Sequence, residues 1–326
     1  MPTPMSGAIV RAPLDDDVAQ AISELPEIDI SPDIDFDAIR VDAATIAARF
    51  RGAVDSDLGT IPSRDDSVAG VRVRWYGPQP DADRDLIVFV HGGGWVAGDL
   101  DSYDDDVRLL ARETGAAVVA VGYRRAPEHP FPAPLDDCVS VVRHVVDVPH
   151  RTLSLAGDSA GGNLVLGTAW SLRNDSVVDA VLALYPCVDP TAMANDSYRE
   201  NGSGYLLTHD AMRTYWEVYA TDERARRDPR VALLLGDLHG MPSTVVASAG
   251  YDPLRDENRE LAARLVNADV DVTYLPHPTL THGFQQMVPR VPAASRALAA
   301  VYAAFVATLR RAETRRTATA SAPMRP

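Results

Sequence analysis

The stretch Leu155-Ala156-Gly157-Asp158-Ser159-Ala160-Gly161-Gly162-Asn163 decides the reading of this chain. The apolar run Leu153–Ala156 leads into it, and Leu164-Val165-Leu166-Gly167-Thr168-Ala169-Trp170 follows with the composition of a helix. Residues 157–161 therefore fit G-x-S-x-G at a strand-to-helix turn, the setting in which that pattern presents a nucleophile. A turn this sharp strains the serine backbone, and side chains at the flanking glycine positions would meet neighbouring backbone. The expectation is a Ser159 hydroxyl lifted off the sheet edge, beside the N-terminal dipole of the next helix. A Gly/Ser turn that merely ends a strand reads the same way in isolation, so the surrounding chain has to decide.

Outward from this turn, short β-branched runs alternate with helical segments. Leu86–Val90, Ala117–Val121, Leu153–Ala156, Ala180–Leu184, Thr244–Ala247 and Val270–Leu275 read as buried strands. Ser102–Thr114, Pro134–Val146 and Leu164–Leu172 read as helices between them. This alternation implies an α/β fold, a mostly parallel central sheet with helices on both faces. Val71–Tyr76 alternates apolar with charged residues, as a half-exposed antiparallel strand would. Phe36, Ile39, Ile46 and Phe50 mark one face of an early helix. Residues 61–189 and 226–312 form the expected core, and a final helix spans roughly Ala293–Arg310. Residues 313–326 read as a frayed, disordered tail. Residues 190–225 interrupt the alternation with an aromatic helix at Ala211–Tyr219, read as an exposed lid.

Of the 326 residues, 31 carry a side chain that is cationic with histidine taken as neutral; all are arginine, and the net charge is −15. Without lysine there is no Schiff base, no P-loop lysine and no Ser-x-x-Lys activation, so a serine nucleophile here requires histidine. Residues 1–60 hold twelve acidic side chains against four arginines, a net −8. With no basic stripe elsewhere, nucleic acid is not an expected partner. Cys138 and Cys187, 49 residues apart and outside any C-x-x-C, read as buried thiols. No secretory signal opens the chain, and Ala297–Leu309 is short for a bilayer span, so a cytoplasmic protein without stable membrane association is expected.

Val88-Phe89-Val90-His91-Gly92-Gly93-Gly94-Trp95 ends a strand in three glycines without a phosphate-loop signature. Side-chain-free backbone there lets N–H groups approach a developing alkoxide, joined by the N–H of Ala160. Asp252 lies just past the strand Thr244–Ala247, and His282 falls in a loop after the last strand. The order Ser159, Asp252, His282 is the nucleophile–acid–histidine order of α/β-hydrolases. Asp256 and Glu257 read as first-turn helix charges or surface charges. His91 is expected to brace the glycine loop. His129, His144, His150, His209, His239 and His277 lack partners at metal-ligand spacing and read as surface or capping residues.

Five ordered motifs then carry a resemblance: His91–Trp95, Tyr123–Ala133 (YRRAPEHPFPA), Gly157–Asn163, Asp252–Glu257 and His282-Gly283-Phe284. Together they resemble the hormone-sensitive-lipase-like carboxylesterases (bacterial family IV) of the α/β-hydrolase fold, over about residues 70–310, and residues 201–208 look similar as well. The resemblance implies a triad of Ser159, Asp252 and His282, with an oxyanion hole from Gly93, Gly94 and Ala160. It implies a helical cap from residues 1–60 and 190–225, and hydrolysis of a short- to medium-chain ester through an acyl-enzyme, with no cofactor and no metal. Arg125 departs from the pattern, standing where relatives usually carry an apolar residue. Nothing in the motifs separates ester from amide cleavage. A receptor built on a hydrolase scaffold is the reading from another class, disfavoured because all three triad positions are filled. A homodimer is a further expectation, with an open Val270–Leu275 edge as one route.

Overall fold

In the computed structural model, which describes residues 12–25, 35–51 and 57–320, the buried apolar runs form the middle of one eight-stranded sheet. The strands are β1 (Ser63–Val68), β2 (Val71–Tyr76), β3 (Leu86–Val90), β4 (Ala117–Gly122), β5 (Leu153–Asp158), β6 (Ala180–Leu184), β7 (Ser243–Tyr251) and β8 (Val272–Thr281). Their spatial order is β1-β2-β4-β3-β5-β6-β7-β8. β2 runs antiparallel to β1 and β4, and every other pairing is parallel.

Parallel neighbours need crossovers, and helices supply them. Ahead of the sheet lie α1 (Asp16–Ser23) and α2 (Phe36–Arg51). Within it come α3 (Asp104–Thr114), α4 (Ala133–Val145) and α5 (Ala160–Leu172). Next are α6 (Asp196–Asn201), α7 (His209–Tyr219), α8 (Glu223–Arg226), α9 (Arg255–Asn267) and α10 (Pro292–Ala320). The period of two along each strand divides the core. Leu86, Val88 and Val90 of β3 join the apolar cluster that includes Leu135 and Leu164, whereas Ile87 and Phe89 join the one that includes Leu110 and Phe305. Helices thus cover both faces, and the strands read as continuous apolar runs for that reason.

Several boundaries differ from the sequence reading. β1 carries Arg64, Asp65 and Asp66 at the sheet edge, exposed along most of its length, so no apolar pattern announced it. The strand expected at Val270–Leu275 begins at Val272, because the Val270 N–H turns back to the Leu265 carbonyl at the end of α9. It continues to Thr281 as the outer strand of the sheet. The expected frayed tail is helical through Ala320. Arg311 and Arg315 reach Asp271 at 3.2 and 2.7 Å, and Arg316 reaches Asp179 at 3.0 Å. Residues 321–326 lie outside the described residues. At 29 residues α10 also exceeds the stretch considered too short for a bilayer. Its span Pro292–Arg316 is long and apolar enough to cross one, yet Leu298, Val301, Phe305 and Leu309 are buried against the sheet and α3.

The segment between β6 and β7 is helical, without a strand, but its aromatic side chains are not exposed. Met212, Trp216 and Tyr219 are buried. Tyr219 stacks on Trp95 with ring centroids 4.3 Å apart, and Trp216 lies 4.5 Å from the same ring. Packing therefore claims these rings, and only half-buried Tyr215 faces the cavity described below. In α2, Ile46 is buried and Phe36 and Ile39 are half-buried, whereas Phe50's side chain lies outside the described residues, as do residues 1–11, 26–34 and 52–56.

Candidate active site

β5 ends at Asp158 and α5 begins at Ala160, leaving Ser159 alone as the corner. Its backbone has φ +53° and ψ −120°, a conformation that L-residues rarely adopt. Such strain persists only where the surroundings over-determine it. Here the Ser159 N–H donates to the Leu184 carbonyl at 2.8 Å. A Cβ at position 157 would stand 2.6 Å from the Gly161 carbonyl oxygen, so the corner closes only with glycine there. Asn163, one turn into α5, donates its amide to the carbonyls of Cys187 and Val231 at 2.9 and 2.8 Å, tying the helix to the segments beyond β6.

Three side chains from separate strand ends meet at this corner. The Ser159 hydroxyl donates to His282 Nε2 at 2.9 Å, and His282 Nδ1–H donates to Asp252 Oδ2 at 2.8 Å. Asp252 Oδ1 accepts the Leu254 N–H at 2.9 Å, so both carboxylate oxygens are engaged. Asp252 follows β7 and His282 follows β8, the two strands being hydrogen-bonded neighbours. A register irregularity between Ala249 and Tyr251 brings Tyr251 opposite Thr281, immediately before both residues. All three side chains are buried or nearly so. Serine, imidazole and carboxylate in series at these distances can relay a proton and activate an oxygen nucleophile.

The glycine loop after β3 lies beside this corner. Gly93 (φ +108°) and Gly94 (φ +62°) line the same cavity as Ser159. Among the described residues, the N–H groups of Gly93, Gly94 and Ala160 donate to no protein acceptor. His91 braces the loop, as the sequence suggested. Its Nδ1–H donates to the Gly92 carbonyl at 2.9 Å, and its ring stacks on Tyr123 at 4.3 Å. Burial, helped by the Arg125 charge, pulls its pKa down to about 4 against the Gly92 hydrogen bond, so the ring is neutral.

Other residues at this site escaped the sequence reading. Asp158, the variable position of the motif, is fully enclosed; its Oδ1 accepts the Gly92 N–H at 2.8 Å and its Oδ2 the Tyr103 hydroxyl at 3.1 Å. It thereby clamps the glycine loop to the serine corner. An acid inside the motif was visible in the sequence, but its acceptor role depends on the long-range approach of β3 to β5. Tyr185 packs edge-on to the His282 ring at 4.7 Å. Cys187 Sγ lies 3.9 Å from Ser159 Oγ. Asn201 donates to the Asp252 carbonyl at 3.0 Å, drawing α6 against the acid. Glu257, expected as a first-turn or surface charge, is wholly buried and accepts the Val188 N–H at 2.8 Å.

Burial pushes the Asp158 carboxyl up to about 6, against hydrogen bonds from Gly92 and Tyr103 that favour its charge. A folded pKa above the usual 3.8 means the native state holds this proton more tightly than the unfolded chain. The group's stabilising contribution is full below that lower value and disappears as pH rises through about 6, a change of about 3 kcal/mol. Asp158→Asn is therefore expected to remove this slope. The stability difference between variant and parent should shift in the variant's favour between about pH 4 and pH 7. Urea unfolding of both proteins at the two pH values checks this, and a difference independent of pH would refute it.

The cavity in front of Ser159 measures about 190 Å³. α2 contributes Ile39, Ala43 and Ile46, and the α7 region contributes Leu206, Leu207 and Tyr215. α2 is pinned over it by Arg40, which donates to the Val96 and Ala126 carbonyls at 3.0 and 3.2 Å and to Glu128 at 3.0 and 2.7 Å. Among the described residues, no group of three or more His, Cys, Asp or Glu side chains is arranged to hold a metal.

A doubly covered, mostly parallel sheet with a serine corner after β5, a carboxylate after β7 and a histidine after β8 defines the α/β-hydrolase class. Residues 87–286 match the family described as having the alpha/beta hydrolase fold, and the chain belongs to that family, within its hormone-sensitive-lipase-like carboxylesterases. It is 35% identical over 254 residues to the versiconal hemiacetal acetate esterase stcI of Emericella nidulans, covering 73% of this chain and 88% of that one. It is also 35% identical to carboxylesterase NlhH of Mycobacterium tuberculosis, over 71% of this chain and 76% of the relative. A crystal structure of an esterase from the bacterial hormone-sensitive lipase family superposes with a TM-score of 0.81 at 26% identity, covering 91% of this chain and 100% of that one. The protein is a carboxylic ester hydrolase.

Proposed function

We propose that the chain hydrolyses short- to medium-chain carboxylic esters through an acyl-enzyme on Ser159. The single observation that carries this reading is the unbroken series Ser159–His282–Asp252, at 2.9 and 2.8 Å, opening into an apolar-walled cavity. His282 Nε2 takes the hydroxyl proton as Ser159 Oγ attacks the ester carbonyl. Asp252 holds the tautomer that leaves Nε2 free and stabilises the imidazolium that forms. The N–H groups of Gly93, Gly94 and Ala160 receive the tetrahedral alkoxide, each donor contributing about 10²–10³ in rate. The protonated His282 passes its proton to the leaving alcohol, and a water molecule then repeats the sequence on the acyl-enzyme.

A cavity of about 190 Å³ supports the chain-length assignment. It is smaller than the roughly 300–1,000 Å³ of sites that enclose drug-sized ligands. Residues 1–60 and 190–225 act as the cap in this reading, supported by the α2 and α7 side chains that line the cavity. The same reading keeps the protein cytoplasmic and free of stable membrane association, and it offers the outer strand β8 as a route to a homodimer.

A fluorophosphonate probe tests the reading directly. It is expected to add one covalent label, located on Ser159 by peptide mass spectrometry, and to abolish ester turnover in proportion. Labelling elsewhere with activity intact would refute the assignment. Assay of an ester beside its matched anilide is expected to show the ester cleaved faster.

A further inference from the structure

One wall of the cavity carries a guanidinium that forms no salt bridge among the described residues. Arg125, half-buried in the loop after β4, lines it together with Gly98, Asp99, Ser102 and Tyr103. Arg125 Nη1 donates to the Gly98 carbonyl at 2.6 Å, and no carboxylate pairs with the side chain among the described residues. The other cavity arginine is the contrast: Arg40 is paired with Glu128 at 2.7 Å and with Asp37 at 2.9 Å. A guanidinium has five N–H donors, so Arg125 keeps most of its capacity unspent.

Three carboxylates share the cavity lining, and none stands within salt-bridge distance of Arg125. Asp158 is taken by the Gly92 N–H and the Tyr103 hydroxyl, and Asp99, like Glu128 outside the lining, feels the Arg125 charge only through space. Asp99 Oδ1 is taken by the N–H groups of Asp101 and Ser102 at 3.1 and 2.8 Å, and Asp42 is exposed on α2. The Arg125 charge reaches the glycine loop itself, because Gly98 packs against His91 and Gly92 behind it. A half-buried guanidinium without a salt bridge, in the cavity that Ser159 also lines, is suited to receive a planar anion. The surface cannot supply that selectivity, since a net charge of −15 repels anions from the molecule as a whole.

We propose that Arg125 makes this hydrolase selective for esters that carry a carboxylate away from the reacting carbonyl, with the guanidinium holding that carboxylate inside the cavity. The proposal rests on the reading of the Ser159 cavity as the ester site. Either half of the ester could bear the anion, and matched substrate pairs distinguish them. On the acyl side, the para-nitrophenyl monoester of glutaric acid is compared with the para-nitrophenyl ester of glutaramic acid. On the alcohol side, para-carboxyphenyl acetate is compared with para-carbamoylphenyl acetate.

The quantity read is the ratio of kcat/KM for the carboxylate over the amide within each pair, in the parent, Arg125→Gln and Arg125→Lys. Glutamine keeps a donor for the Gly98 carbonyl but no charge; lysine keeps the charge without the fork. In one pair the ratio is expected to fall about tenfold or more in Arg125→Gln, chiefly through KM, and to recover in part in Arg125→Lys. If Arg125 merely braces Gly98, both members of each pair lose activity together, and ratios within about twofold of the parent in both pairs overturn the proposal. Should Ser159→Ala still turn over all four esters, the nucleophile assignment fails instead. The ratios distinguish these cases because they do not depend on which group attacks.

Discussion

Ser159→Ala is expected to lower kcat on a short-chain aryl ester by about 10⁴-fold or more while the ester still enters the cavity. Removing Oγ deletes the atom that donates to His282 at 2.9 Å, and the Cys187 sulfur, 3.9 Å from that oxygen, has no hydrogen bond to the histidine among the described residues. Alanine retains the Cβ at the strained corner, and the backbone bond from residue 159 to the Leu184 carbonyl survives. The fold should therefore persist, with a thermal melt close to that of the parent. Steady-state kinetics on purified protein check the expectation; activity within tenfold of the parent would remove Ser159 as nucleophile.

The second large effect is Asp252→Asn, with an expected loss of about 10⁴-fold in kcat. The two carboxylate oxygens have different neighbours, and this decides the outcome. Oδ1 accepts the Leu254 N–H at 2.9 Å and Oδ2 accepts His282 Nδ1–H at 2.8 Å. An asparagine keeps its carbonyl oxygen toward the Leu254 N–H, which places its NH₂ against His282 Nδ1. The imidazole then answers with its other tautomer, carrying the proton on Nε2 and presenting a donor to Ser159 instead of an acceptor. The base is lost without any change of shape. A fall of less than tenfold in kcat would show that Asp252 does not set the tautomer.

These two substitutions test the proposed relay, whose three hydrogen-bonded side chains were each singled out in the sequence, while the groups that hold them were less legible. Ser159 announced itself through glycine spacing, because a corner this tight excludes side chains at position 157 on steric grounds alone. Asp252 and His282 were found from their order and their places after strands. Neither Tyr185, packed on His282, nor Tyr103, hydrogen-bonded to Asp158, carried any local signal. Their contacts cross between elements distant in the chain. Asp158 was read only as a motif position, and its function as the clamp on Gly92 required β3 and β5 to be neighbours.

The aromatic helix shows the same division. Its spacing correctly gave α7, but periodicity reports which residues share a face and not what that face meets. Trp95, at the end of the glycine loop, meets it, and Trp216 and Tyr219 are packed there instead of covering an open site. Likewise Glu257 sits in the first turn of α9 as its position suggested, yet the Val188 N–H draws it wholly inside.

By itself the sequence determined the alternation of strands and helices, the serine corner and the glycine loop, and it singled out Ser159, Asp252 and His282 as the three side chains that the fold hydrogen-bonds in series. These depend on properties carried by a few adjacent residues: β-branching, the steric limits of a turn, and side-chain chemistry. Only the tertiary structure decided how strand register brings Asp252 and His282 to Ser159, which acid clamps the glycine loop, and which arginine in the cavity keeps an unpaired charge. Those depend on long-range approach, because a side chain's partners and burial are set by elements that meet only once the sheet is assembled.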